Sequence, residues 1–146
     1  MKIPKRYIPK TLTKKDYQKQ KANIQNTRKL YRKNIFKHRP KVNSFKSKPS
    51  PHVEKAKKMY KVKKITPCTA LANATKCSIN ALKRITKKGR GAYYSSGSRP
   101  NQTAESWARA RLASSLTGGN ASKVDYHILE EGCKPSSKAL LLAKTP

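Results

Sequence analysis

The chain has 146 residues, of which 36 are Lys or Arg and six are Asp or Glu, for a formal net charge of +30. Only 35% of it is apolar, against roughly 45–50% in an ordinary soluble domain. That balance excludes a large buried core, leaves material for one small domain, and demands an anionic partner to offset self-repulsion.

The charge is lopsided. Residues 1–90 hold 29 basic residues against two acids, Asp16 and Glu54, a net of +27; residues 91–146 hold seven basic and four acidic residues, a net of +3. The apolar residues before position 67, among them Ile3, Ile8, Leu12, Val42 and Ile65, stand singly among lysines. The expectation is an extended basic arm over residues 1–66 and a small helical domain over 67–146.

Along the chain, Pro4 and Pro9 with alternating lysines predict an extended lead-in. Thr13 reads as a helix cap, with Asp16 three residues on near the positive helix end. A helix over about 14–33 follows, with a thin stripe of Tyr17, Ile24 and Tyr31 and with cations on its other faces. Residues 36–51 carry three prolines and the aromatics Phe36 and Phe45, which predicts an extended linker with anchors for a neighbour. Ser50 and Pro51 open a second helix to about residue 63, with Val53, Ala56, Met59 and Tyr60 inward.

After Pro67 the composition changes. Thr69–Thr75 is Ala-rich and helical, and Ser78 caps a helix with Ile79, Leu82 and Ile85 on one face, ended by Gly89. GRGAYYSSGSRPNQT reads as an irregular loop, with Ala92-Tyr93-Tyr94 its only hint of a strand. Thr103 caps a helix through Leu116, with Trp107, Ala108, Leu112 and Leu116 as core candidates, and Gly118-Gly119 stop it. Ser122 with Asp125 predicts a further helix to about Glu131, closed by Gly132. Pro135 starts a last one holding Leu140, Leu141 and Leu142. The fold class is mostly α.

Motifs for chemistry are few. Cys68, Cys77 and Cys133 are odd in number and form no Cys-x-x-Cys pair, so ordinary buried thiols are expected. A Cys68–Cys77 bridge, and a metal site with His127 and Cys133 as further ligands, are the weaker alternatives, because the spacings of zinc sites are absent. The sequons at Asn73, Asn101 and Asn120 read as chance, there being no secretory signal at the start. No run approaches the roughly 18–20 apolar residues of a membrane span. Leu71–Ile85 resembles a helix-turn-helix, with Ala72 in the first helix and Lys76 where the turn usually has Gly; a structural hairpin is the plainer reading. Tyr93, Ser95, Ser96, Ser98 and Arg99 offer hydroxyls, but no motif brings Glu105, Asp125, Glu130 or Glu131 beside them as a base. No Walker, nucleophile-elbow or dinucleotide motif occurs. No enzyme, catalytic residue, cofactor or metal is expected.

The run GRGAYYSSGSRPNQTAESWARARLASSLTGGNASKVDYHILEEGC, with SKAL after it, resembles a small uncharacterised domain of nucleocytoplasmic large DNA viruses, over about residues 85–142. The upstream RYIPKTLTKKD and YRKNIFKHRPKVNSFKSKPSPHVEKA resemble sequences that precede that domain. The resemblance implies a viral context and no known activity or catalytic residue. It leads to the expectation of a virion protein, made in the host cytoplasm: a minor capsid (cement) protein whose arm bridges capsomers on the inner face of a large icosahedral shell.

Its partners would be the major capsid protein and other minor capsid proteins, with nucleic acid or a membrane surface as further contacts of the arm. The expected partner-binding residues are Tyr17, Ile24, Arg28, Tyr31, Arg32, Phe36, Arg39 and Phe45. Isolated anchors of this kind suit a shell protein, since a genome-condensing protein needs only charge. A nucleic-acid-binding virion or chromatin-like protein is the alternative, and a ribosomal protein the third.

Overall fold

In a computed structural model, which describes residues 2–46 and 50–145, the chain is mostly α-helical. A 3-10 turn at Lys5–Tyr7 precedes α1 (Lys14–Arg32), α2 (Pro51–Tyr60), α3 (Thr69–Thr75), α4 (Ile79–Ser95), α5 (Ala104–Leu116), α6 (Asn120–Val124), α7 (Tyr126–Gly132) and α8 (Lys138–Lys144). No strand occurs among the described residues; the extended pairing found among them is an isolated antiparallel bridge between Cys77 and Cys133.

The starts of the helices follow local capping chemistry. Thr13 Oγ1 accepts from the Asp16 amide at 3.2 Å, and Ser78 Oγ accepts from the Ala81 amide at 3.1 Å. Thr103 and Ser106 cap reciprocally, each hydroxyl accepting from the other's amide, at 3.0 and 2.9 Å. Each such bond satisfies a backbone donor that the first turn leaves orphaned. Ser50 precedes α2 as expected but makes no side-chain cap; Pro51 at the first position supplies the preset φ instead. α8 starts later than Pro135, at the cap Ser137, whose Oγ accepts from the Leu140 amide.

Contacts divide the chain into two compact units, residues 1–48 with 90–107 and residues 49–89 with 108–146. The boundary expected after residue 66 is therefore displaced, for two physical reasons. Residues 2–46 find partners in the stretch after Gly89, and α2 with Ile65 joins the later helices.

In the second unit, Ala56, Tyr60 and Ile65 share one apolar cluster with Leu71, Leu82, Ile85, Leu112, Leu116, Ile128, Leu129, Leu140 and Ala143. Each fully buried Leu or Ile of this set contributes about 1.5–3 kcal/mol. The Tyr60 hydroxyl donates to the Leu116 carbonyl at 2.5 Å. Burial pushes that phenol above its usual range.

Three further expectations are corrected. Gly89 does not end α4; the helix runs on through Arg90-Gly91-Ala92-Tyr93-Tyr94 to Ser95. A Cβ at Gly89 would lie 2.8 Å from the Ala108 Cα, so this glycine permits close helix packing. The stop comes at Gly97, at φ +126°, where the amides of Ser96 and Gly97 both donate to the Ala92 carbonyl.

Asp125 is not the far half of a capping box. It breaks the expected single helix into α6 and α7, and its side chain is fully buried. The Arg111 guanidinium donates to both its oxygens at 2.8 and 3.0 Å, Lys88 Nζ lies 3.2 Å away, and Ser115 Oγ donates at 3.0 Å.

Cys77 and Cys133 are not thiols but a disulfide, with Cys68 left as the free cysteine. The bridge ties the turn between α3 and α4 to the end of α7.

The helix-turn-helix-like stretch spans α3, its turn and the first part of α4, in the second unit. Lys76 holds the left-handed turn at φ 58°, and Leu82 and Ile85 pack into the core. Among the described residues no helix is long and apolar enough to cross a membrane.

Candidate polyanion interface

The first unit is built around a small apolar cluster of Tyr7, Ile8 and Ile24, with Ile3, Tyr17 and Trp107 packed against it. The Tyr7 and Trp107 rings meet edge to face at 5.7 Å. At Gly97 a Cβ would lie 3.1 Å from Ile24 and 3.2 Å from Tyr7, so the turn after α4 sits directly on this cluster. Gln20, 1% exposed, donates its side-chain amide to the Tyr7 carbonyl.

Polar clips fasten the extended segment after α1. Arg39 donates through its guanidinium to the Tyr93 carbonyl and to Ser98 Oγ, both at 2.8 Å, and its head lies 3.8 Å from the centre of the Tyr93 ring. The Tyr93 hydroxyl accepts from the Arg39 amide at 2.9 Å. Asn101, at φ 62°, accepts from the Val42 amide at 2.7 Å and donates to the carbonyls of Val42 and Phe45 at 3.1 and 2.8 Å. The Asp16 carboxylate accepts from the Ser44 amide at 2.9 Å, and the Ser44 side chain first, then this amide, hold it below the usual carboxylate range. The linker expected over 36–51 is thus held by side-chain clips as far as Phe45, and its residues 47–49 lie outside the described residues.

These clips use some of the residues expected to bind partners. Ile24 is wholly buried, and Arg28, 7% exposed, donates through Nε to the Ser96 carbonyl at 2.8 Å. Tyr17 packs on the same cluster, Arg39 is clipped to Tyr93 and Ser98, and Phe45 is half-buried. Tyr17, Ile24, Arg28 and Arg39 thus serve the unit's own interior, because the arm folds on residues 90–107. Arg32 and Phe36 remain exposed, and Tyr31 is half-buried.

Two surface features were not foreseen as such. The Tyr31 and Tyr94 rings lie nearly parallel, 6.2 Å apart, and Phe36 leans on both, at 5.7 and 5.3 Å. His38 completes the group, 6.1 Å from Tyr94. Ile35 and Phe36 stay 48% and 58% exposed. Beside them is a cavity of about 120 Å³ lined by Asn23, Asn26, Thr27, Lys37, His38, Arg39 and Pro40. Phe36 and Tyr31 were read from the sequence as anchors; Tyr94, His38 and Asn23 were not, and no local signal marks them.

Electrostatically the unit has almost no internal compensation. Residues 1–48 and 90–107 hold 19 basic residues and two acids, Asp16 and Glu105, a net of +17. Among the described residues Glu105 pairs with Arg90 at 3.4 Å, and Asp16 is occupied by Ser44. Lys14, Lys15, Lys21, Lys29, Arg32 and Lys33 lie exposed on or just after α1. Ser98, one of the hydroxyls considered as a nucleophile, is 1% exposed and bonded to Arg39 and to the Arg99 carbonyl. No group of three or more His, Cys, Asp or Glu able to hold a metal occurs among the described residues.

No curated protein and no solved structure matches this chain. A family of unknown function, DUF5824, matches residues 4–127, which takes in all but the first three residues of the first unit and most of the second, and the chain belongs to that family.

Proposed function

We propose that this chain is a structural binding protein of a virion, a minor capsid (cement) protein of a large icosahedral DNA virus, whose first unit docks on an acidic protein surface and bridges neighbouring capsomers. One observation carries the reading: 19 cations against two acids in a folded unit, with the exposed cations massed along α1. The arrangement rests on caps and clips, so the charge is presented on a defined scaffold. A rigid scaffold lets oppositely charged patches match in register, which gives specificity and fast association. The viral setting comes from the sequence resemblance, and the family, being of unknown function, names no activity to set against it.

A second reading, a genome-associated protein, is favoured by one specific feature, the exposed aromatic rings set among the cations. Stacking surfaces serve nucleobases as well as protein pockets.

The experiment is fractionation of purified particles into shell and nucleoprotein core, followed by mass spectrometry, with and without nuclease. The shell reading expects the chain to stay with the shell and to resist nuclease. Release by nuclease together with the genome would replace it with the second reading.

A further inference from the structure

The cavity between α1 and residues 37–40 has an unusual lining. Lys37 and Arg39 bring positive charge, and Asn26 and His38 bring further polar groups, with no carboxylate among the lining residues. Asn23 Nδ2 is buried and has no hydrogen-bond partner among the described residues. A buried amide donor left unpaired costs about 1–3 kcal/mol, so an acceptor is expected there when the site is in use. A group that pairs with this donor must accept hydrogen bonds and suit a positive field. A phosphate oxygen meets both conditions.

The cavity does not stand alone. His38 lines it and also lies in the aromatic group with Tyr94, against which the exposed Phe36 ring leans at 5.3 Å. A cationic notch for phosphate therefore adjoins a solvent-facing aromatic surface. That is the pairing by which single strands are held: charge follows the backbone, and unstacked bases lie on rings. A duplex keeps its bases stacked inside and offers nothing to Phe36.

We infer that the first unit holds single-stranded nucleic acid, with a backbone phosphate in the Asn23–Lys37–His38 notch and a base stacked on Phe36. This goes beyond the shell reading and builds on the genome-side one. It gives the protein a second contact, with the packaged genome or its transcripts, whatever holds it to capsomers.

The test uses the full chain and fluorescence anisotropy with a short labelled oligothymidylate, a duplex of equal length, and polyglutamate as competitor. Phe36→Ala is expected to weaken oligothymidylate binding about tenfold and to leave duplex binding unchanged. The ring is more than half exposed, so the fold should survive; circular dichroism checks this. Lys37→Ala, also at an exposed position, is expected to lower the slope of log affinity against log salt by about one for either ligand.

Equal losses on single strand and duplex with Phe36→Ala, or none on either, would overturn the inference. So would polyglutamate competing as well as unlabelled oligothymidylate and with the same dependence on Phe36, since the site would then be one for acidic protein. The shell reading is judged separately, by retention in nuclease-treated shells, so either can fail without the other.

Discussion

Asp125 is the one buried carboxylate of the six acids in the chain. Burial alone would raise its pKa, but the bidentate Arg111 guanidinium, Lys88 and the Ser115 hydroxyl together hold it below its ordinary 3.8. The folded state therefore binds its proton less readily than the unfolded chain does. Its contribution to stability is fully present above pH 3.8 and fades as the pH falls through the lower folded value. Asp125→Asn leaves Arg111 and Lys88 without their anion and is expected to cost about 3 kcal/mol at neutral pH, the usual cost of breaking a buried pair from one side. Urea unfolding of the two proteins at neutral pH and again in acid checks it. The gap should narrow as the acid protonates the wild-type carboxyl. A constant gap would mean that the ion pair is not its source.

At the scale of elements, what the sequence revealed depended on distance along the chain. The caps at Thr13, Ser78 and Thr103 were legible because cap and donor lie three residues apart. So were the inward faces of α2 and α5, which follow helical spacing. The extension of α4 past Gly89 was not, because the reason for that glycine is Ala108, a neighbour only in the fold. Asn101 looked like a loop residue since its partners Val42 and Phe45 precede it by more than fifty positions. Likewise, nothing in an odd set of three cysteines says which two meet. The Cys77–Cys133 bridge closes a segment with a sequence separation of 56. On the loop-entropy account, a closure of that length contributes about 4 kcal/mol by restricting the unfolded chain. Thermal melts with and without dithiothreitol, and of the Cys77→Ser/Cys133→Ser double variant, are expected to show the second unit losing stability on that scale. A reduced protein that melts at the same temperature would place the stabilisation of the α3–α4 turn entirely in its packing.

For the whole molecule, the division into units decides which pieces can fold. A cut after residue 66, where composition changes, removes Ala56, Tyr60 and Ile65 from the cluster they share with Leu112 and Leu116, along with the Tyr60–Leu116 hydrogen bond. A fragment of residues 67–146 must therefore expose the surface those side chains cover, whereas residues 50–146 keep it covered. Burial of three such side chains amounts to several kcal/mol, a large part of the margin by which a small domain is stable. The shorter fragment is expected to melt well below the longer one, and with a broader transition. In both fragments residues 90–107 lack the partners that residues 2–46 provide, so the comparison isolates the contribution of α2 and Ile65. Equal melting of the two fragments, followed by circular dichroism, would mean that composition marks the true boundary and that α2 belongs with the basic arm. The expected difference would mean that the change of composition near residue 66 marks no boundary of the fold, whose core crosses it.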